Sequence, residues 1–402
     1  MKKCVSVILV LCLLLGGCAR TQPVVEDESL GNLPVAPVNL SAGTRVWIAE
    51  ELAPTDVFKI AQTALALNLL KSTTDQETKN PLLAPYSVSV ALALAANGAE
   101  GETEERLLKV LGASSVEELN GMLYNRKRNE NGSVISAQSV WVKNLSDISE
   151  EYLENVKDHY NADVYRGIEQ NAINSWVKEK TGGQIESLEC DTTADVQLLN
   201  AMTFQSSWAQ FLEEKAEGTF NDAAGKAHTV TMMKGKAEKY ATLNGGEGFV
   251  KYYADSTVAF AAFLPPEGVS VYDYVRALTA EELLHALETS DSTEVKLTMP
   301  SFEANADLTL TDAVKALGLA EDFTPAADFP AFGSVYLSEI KQKAVLEVDQ
   351  NGTRGAASTT AGMVKYDGDP EYKELVLDRP FVYTVFDVKT NAPLFLGAVT
   401  NF

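Results

Sequence analysis

Val348-Asp349-Gln350-Asn351-Gly352-Thr353-Arg354-Gly355-Ala356-Ala357-Ser358-Thr359-Thr360-Ala361-Gly362 carries no large apolar side chain from Gly352 onward. Such a run cannot anchor itself in a core, and on composition alone it reads as an exposed loop or linker. The same residues also fit a strand, in which side chains alternate between two faces. Thr353, Gly355, Ala357, Thr359 and Ala361 then share one face; Arg354, Ala356, Ser358 and Thr360 share the other. The first face is small throughout, and the only charge lies on the second. A strand that enters an already packed sheet needs that arrangement. The chain continues Met363-Val364-Lys365-Tyr366-Asp367-Gly368-Asp369-Pro370 on the way to Arg379.

Around this stretch lies a chain of 402 residues, 46% of them hydrophobic, enough for a sizeable core. A formal charge of −23 argues against nucleic-acid binding and against adhesion to an anionic membrane surface. The N-terminus has the form of a targeting segment. Met1-Lys2-Lys3 is followed by an apolar run, Val5 to Leu15, too short to span a bilayer comfortably. It ends Leu15-Gly16-Gly17-Cys18, which resembles a bacterial lipobox. That resemblance implies a lipoprotein signal peptide over residues 1–17, cleavage before Cys18, and lipid on the Cys18 thiol. The expected location is across the bacterial cytoplasmic membrane, lipid-anchored in the cell envelope and surface-exposed. Residues 18–54, with Pro23, Pro34, Pro37 and Glu26-Asp27-Glu28, read as a flexible tether. Cys4 and Cys12 leave with the signal peptide and Cys18 is acylated, so Cys190 stands alone and no intramolecular disulfide is expected. Glu189 and Asp191 flank it and disfavour a thiolate.

Folded character begins near Thr55. Thr55 or Asp56 can cap a helix running through Phe58 to Leu69. Pro85-Tyr86-Ser87 opens an Ala-rich run, Val88 to Ala96, apolar nearly all round, which places it in the interior of a large domain. Glu102–Leu111, Glu150–Tyr160, Ala172–Lys180, Thr279–Leu287 and Leu308–Leu317 have helical spacing. Ser133–Val142, Val196–Trp208, Val295–Phe302, Leu337–Val348, Pro380–Val388 and Leu394–Thr400 read as strands, and β character dominates from Thr219 to Pro265. Helices prevail early and strands late, without a βαβ repeat. The fold class is therefore α+β with large antiparallel or mixed sheets.

Catalytic chemistry finds no support. His159, His228 and His285 lie outside metal-binding spacings, and neither a Gly-x-Ser-x-Gly elbow nor a phosphate loop is present. Gly245-Gly246-Glu247-Gly248 is a turn, with no helical pattern behind it. No catalytic residue, metal or cofactor is nominated.

Several segments in order resemble the serpin family, and together they cover Thr55 to Phe402. They are Asn80-Pro81-Leu82-Leu83-Ala84-Pro85-Tyr86-Ser87-Val88; Gly98-Ala99-Glu100-Gly101-Glu102-Thr103; Ile173-Asn174-Ser175-Trp176-Val177 with Thr181-Gly182-Gly183-Gln184-Ile185; Leu198-Leu199-Asn200-Ala201 with Phe204 and Trp208; Asp328-Phe329; Ser338 to Val348 leading into Gly352-Thr353; and Arg379-Pro380-Phe381 with Pro393-Leu394-Phe395-Leu396-Gly397-Ala398-Val399. The resemblance implies a single domain over residues 55–402. It implies a large central mixed sheet of five strands, two smaller sheets, about eight or nine helices, and an exposed reactive loop over residues 350–377.

It also implies a suicide inhibitor of serine proteases, and of cysteine proteases, with no turnover of its own and a monomeric state. The targets would be trypsin-, chymotrypsin-, subtilisin- or elastase-like. A protease cleaves the loop, is held as an acyl-enzyme, and residues 352–363 insert into the central sheet. The hinge is Gly352, Thr353, Gly355, Ala357 and Thr359; the scissile candidates are Lys365, Tyr366 and Met363. Lys365-Tyr366 suits a trypsin-like pocket, Tyr366-Asp367 a broad apolar one, and Met363-Val364 an elastase-like one. The region where the sheet opens is matched by Ser87, Asn200 and Gln342. Departures from the family pattern are Gln350 in place of an acid, Arg354 in place of the commoner Glu, and Gln342 with Asn200 in place of a hydrogen-bonded histidine–asparagine pair. An amide still donates and accepts, so a polar lock without pH sensitivity is expected. A serpin-like surface protein that binds ligand or host components without inhibiting is the competing expectation.

Overall fold

Local sequence explains where the helices begin. α1 (Asp56–Thr73) starts where the Thr55 hydroxyl accepts the Phe58 amide at 3.1 Å. α2 (Pro85–Ala96) carries proline in its first turn and is buried along its whole length, as a run apolar on every side must be. α3 (Gly101–Leu111) ends at Gly112, which is left-handed at φ 77°. α4 (Val116–Arg128), α5 (Glu150–Tyr160), α6 (Gln170–Lys180), α7 (Val271–Ala277) and α8 (Ala280–Glu288) follow. A reciprocal capping box between Thr279 and Glu282 starts α8. The computed structural model describes residues 37–41, 51–75, 78–128, 134–143, 148–194, 196–353 and 372–402.

Three sheets form among the described residues. The central one contains β3 (Val134–Val142), β4 (Asp163–Arg166), β5 (Val196–Phe204), β13 (Phe302–Thr309) and β14 (Ile340–Asp349), in the order β4-β3-β5-β14-β13. β5 and β14 pair in parallel from Leu198–Ile340 to Thr203–Val345, and β3 and β13 flank them antiparallel. Two-residue strands extend this frame: β1 (Val38–Asn39) at the β4 edge, and β6 (Ser206–Ser207) with β15 (Gly352–Thr353) beyond the upper end of the β5–β14 pairing.

The second sheet runs β2-β18-β17-β11-β10-β9, from β2 (Leu82–Leu83), β9 (Lys239–Leu243), β10 (Gly246–Tyr252), β11 (Val258–Leu264), β17 (Phe381–Asp387) and β18 (Pro393–Val399). The third runs β16-β12-β8-β7, from β7 (Glu214–Asn221), β8 (Ala227–Ala237), β12 (Glu294–Pro300) and β16 (Tyr372–Val376). One large core joins α1, α2 and the sheets. A smaller one packs α6 on the central sheet through Trp141, Trp176, Ile173 and Leu199.

The mixed sheets of the α+β expectation are present. The loop expected over residues 350–377 is narrower, because Gly352–Thr353 pairs as β15 and Tyr372–Val376 pairs with β12 as β16. Two further differences concern detail. The helix expected at Leu308–Leu317 starts at Thr311, because Leu308 and Thr309 prolong the β13 ladder opposite Gln342 and Lys341. Part of the segment expected as a tether is structured. Val38 and Asn39 pair with Arg166 and Tyr165, the Leu40 amide donates to the Val164 carbonyl at 2.7 Å, and the buried Ser41 hydroxyl accepts from the Val164 amide at 3.1 Å.

Candidate functional site: the hinge and the seam it enters

β14 alternates, with Ile340, Gln342, Ala344, Leu346 and Val348 buried. At its upper end the chain reverses over Asp349-Gln350-Asn351-Gly352. The Asp349 carboxylate accepts the Asn351 amide at 2.7 Å and the Gly352 amide at 3.1 Å, which closes the turn. Gly352 has φ 149°, a conformation that favours glycine. A Cβ there would collide with the Ser206 carbonyl oxygen and would stand 2.6 Å from Ser207 Cα. Both neighbours are backbone, so no side-chain rotation relieves the clash.

Thr353 is buried and lies between two strands. It opposes Val348 of β14 on one side and Ser206 of β6 on the other, antiparallel to both. It bonds into a cluster of three aromatic rings through Tyr253. Trp208 and Tyr253 stack at 4.4 Å, and Phe204 meets Tyr253 edge-on at 4.8 Å. The Tyr253 and Thr353 hydroxyls are 2.7 Å apart and hydrogen-bonded. Trp208 holds the turn from its indole Nε1 to the Asp349 carbonyl (2.9 Å) and from its amide to the Asn351 carbonyl (2.8 Å); the Leu212 amide donates to the Gln350 carbonyl (3.0 Å). Beneath Trp208 lies Lys251, with no exposed side-chain surface. Its ammonium donates to the Lys236 carbonyl at 2.6 Å, 4.0 Å from a Glu238 oxygen and 5.7 Å from the Trp208 ring. Burial pushes the Lys251 pKa down, against the pull of Glu238.

Lower down, the β5–β14 seam is closed and tied to the start of α2. Gln342 accepts the Ala84 amide at 2.9 Å and donates to the Ala84 carbonyl at 2.7 Å. Asn200 donates to the Ser87 carbonyl at 3.2 Å, and the Ser87 hydroxyl meets the Met202 sulfur at 3.4 Å. Ser87, Asn200 and Gln342 are thus brought together, and Gln342 and Asn200 are register partners. The expected lock has a different form, however: the Gln342 amide is bonded to the backbone of Ala84, just before α2, and the Asn200 amide to the first turn of α2. The Asn200 Oδ1 has no hydrogen-bond partner among the described residues.

Of the remaining expected residues, Gly352 and Thr353 sit in the seam, whereas Gly355, Ala357, Thr359, Met363, Lys365, Tyr366 and Cys18 lie outside the described residues. Tyr253 has no motif that would have singled it out. Cys190 is partly buried, and its thiol lies 3.3 Å from the Gln170 side-chain oxygen. Burial, with smaller contributions from Asp191 and Glu339, holds its pKa up. No group of three or more His, Cys, Asp or Glu among the described residues could hold a metal ion.

These features define an α+β protein whose central sheet already holds, at one end, two residues of the segment that follows β14. The chain belongs to the serpin family: the family model described as "Serpin (serine protease inhibitor)" matches residues 60–402. Iripin-8 of Ixodes ricinus is 27% identical over 397 residues, covering 90% of this chain and 98% of that protein. The thermophilic serpin tengpin in its native state superposes with a TM-score of 0.82 at 30% identity, covering 92% of this chain and all of the other. The same protein in its latent state gives 0.74 at 29% identity over 88% of this chain. Serpins are generally protease inhibitors rather than catalysts.

Proposed function

We propose that this serpin inhibits serine proteases, and cysteine proteases able to reach its loop, as a single-use substrate. The protease nucleophile attacks the carbonyl carbon of Lys365, Tyr366 or Met363. The peptide bond breaks, the departing amine takes a proton from the protease's general acid, and an acyl-enzyme forms. Residues from 352 to about 363 then enter between β5 and β14, and the tethered protease is carried away from the hinge end before water completes hydrolysis.

The register of β15 carries this reading. Gly352 and Thr353 already pair with both neighbours, antiparallel to β14 and to β6, at one consistent offset. Continued residue by residue, that register sets Gly355 beside Leu346 and Phe204, and Ala357 beside Ala344 and Met202. Thr359 falls beside Gln342 and Asn200, and Ala361 beside Ile340 and Leu198. The β14 members of these pairs face the core, so the incoming side chains there must be small and uncharged, as they are. Thr359 would also bring a hydroxyl to the unpartnered Asn200 Oδ1. In the inserted strand Arg354 would take the opposite face, where its charge would stay hydrated. An inward charge would cost several kcal/mol, on the order of 2–7 even for a neutral polar group without a partner.

The test is incubation with trypsin, chymotrypsin, elastase and subtilisin. Inhibition predicts an SDS-stable complex with at least one of them and a released peptide beginning at Tyr366 or Asp367, or at Val364 for an elastase. Quantitative cleavage with full retention of every protease's activity would establish instead a non-inhibitory surface protein.

The lipobox motif supports a location for this activity: acylation of Cys18 and anchoring in the cell envelope. Expression in a bacterial host with labelled palmitate should label the wild type and leave Cys18→Ala unlabelled and soluble. Equal fractionation of the two would refute the anchor.

A further inference from the structure

We propose that Tyr253 is the positioning residue of strand insertion: its hydroxyl, bonded to that of Thr353, indexes the first inserted residue in the register that every later residue inherits. The inference rests on the inhibitory reading above.

A strand has a side-chain period of two, so a slip of one residue exchanges its faces. In the observed register Thr353 points into the aromatic socket. A one-residue slip would aim the Arg354 guanidinium at the same socket, beside the buried ammonium of Lys251. It would also turn Ala356, Ser358 and Thr360 toward the core positions of β14. The backbone ladder alone does not prevent this, because its donors and acceptors repeat along the strand. Side-chain recognition must do so, and two features supply it. Gly352 is the only residue type its site admits, against Ser206 and Ser207. Thr353 bonds one hydroxyl that cannot shift: Tyr253 is fully buried and gripped by Trp208 and Phe204. Burial keeps the phenol protonated, so it can donate or accept. A hydroxyl at this point therefore accepts threonine and rejects both arginine and an empty glycine.

The experiment compares wild type, Tyr253→Phe, Thr353→Val and the double variant, all close to isosteric. Hydrogen exchange at the Gly352 and Thr353 amides is measured without protease. The stoichiometry of inhibition is measured with the protease that the wild type traps, alongside the rate of loop cleavage. Each single variant leaves one buried hydroxyl without its partner. Exchange at the hinge should rise by a factor of roughly 5–30. More inhibitor should be consumed per protease, at an unchanged cleavage rate. The double variant removes both hydroxyls, so exchange should return toward wild type, whereas stoichiometry should stay raised because the indexing bond is gone. A merely structural role for the pair would restore both together. Single variants with wild-type exchange and stoichiometry, or a double variant whose stoichiometry returns to wild type along with its exchange, overturn the inference while the inhibitory reading stands. A wild type that traps no protease overturns the inhibitory reading itself.

Discussion

Gly352→Ala perturbs the hinge with a single methyl group, and the structure bounds its cost. The methyl must overlap the Ser206 carbonyl oxygen and approach Ser207 Cα. The backbone must also hold φ 149° with a β-carbon, a strain of about 1–3 kcal/mol before any overlap is counted. The alternative is for the hinge to leave the seam. That forfeits the Thr353–Tyr253 bond and the ladder bonds to Ser206 and Ser207, about 1 kcal/mol each. The cheaper route wins, so the native state should lose about 2–3 kcal/mol, which lowers the thermal midpoint of a domain of this size by roughly 3–4 °C. Undocking also loosens the turn above Trp208, which is 2% exposed and bonded to Asp349 and Asn351. The assay is a thermal scan at fixed rate, with tryptophan emission and hinge-amide exchange followed in parallel. A red-shifted emission and faster exchange should accompany the lower midpoint. An unchanged midpoint with the Gly352 and Thr353 amides still protected would refute the close approach on which this reasoning depends.

Three further outcomes follow from other parts of the molecule. Ala357→Asp places a carboxylate where the continued register meets Ala344 and Met202, a cost above the roughly 2–7 kcal/mol of an unpaired neutral polar group. It should convert inhibitor to substrate, with the loop cleaved at the wild-type rate and no stable complex; retained trapping would show that residue 357 does not face inward. Asp163 is buried on β4. Burial would raise its pKa, but bonds from Lys180 (2.7 Å) and the Trp176 indole (3.1 Å), with the Lys157 charge, outweigh it and hold the carboxyl below its usual range. Its contribution is therefore present above the ordinary aspartate pKa and lost as pH falls through the lower folded value. Asp163→Asn should cost about 1–3 kcal/mol at neutral pH and converge with wild type in acid; denaturation midpoints that stay equally separated at both pH values would contradict this. Thr55→Ala removes the α1 cap, with an expected loss of about 1 kcal/mol in a urea titration; no change would mean that α1 is held by packing alone.

Much of the frame was legible because its periodicities are long and its boundary residues specific. The alternation from Ile340 to Val348 gave β14 its buried face, Thr55 and Thr279 marked helix starts, and the uniformly apolar stretch after Pro85 placed α2 inside. The small-residue face beginning at Thr353 pointed at the seam that receives Thr353. Other features depend on partners far away in the chain. Leu308 and Thr309 fit a helix locally, but a strand that follows thirty residues later takes them into its ladder. Val38–Asn39 is too short to carry a period, and only β4 makes it a strand. Gln342 and Asn200 were identified by resemblance, yet their bonds run to Ala84 and Ser87, because the chain entering α2 offers backbone groups where a neighbouring side chain was expected. Tyr253 sits in Lys251-Tyr252-Tyr253, where nothing local tells which tyrosine turns inward; the choice is made by Trp208 and Thr353.

Insertion itself is the central claim, and thermal stability before and after a single cut in the loop measures it most directly. The protein is nicked with a protease in trace amounts, cleavage between Met363 and Asp367 is verified by mass spectrometry, and the intact and nicked forms are heated side by side. If residues 352 to about 363 join the central sheet in the register that Gly352 and Thr353 already hold, the nicked form gains a full strand and its midpoint rises by tens of degrees. A nicked form that melts at or below the intact protein contradicts insertion, and with it the account of this serpin as a suicide inhibitor.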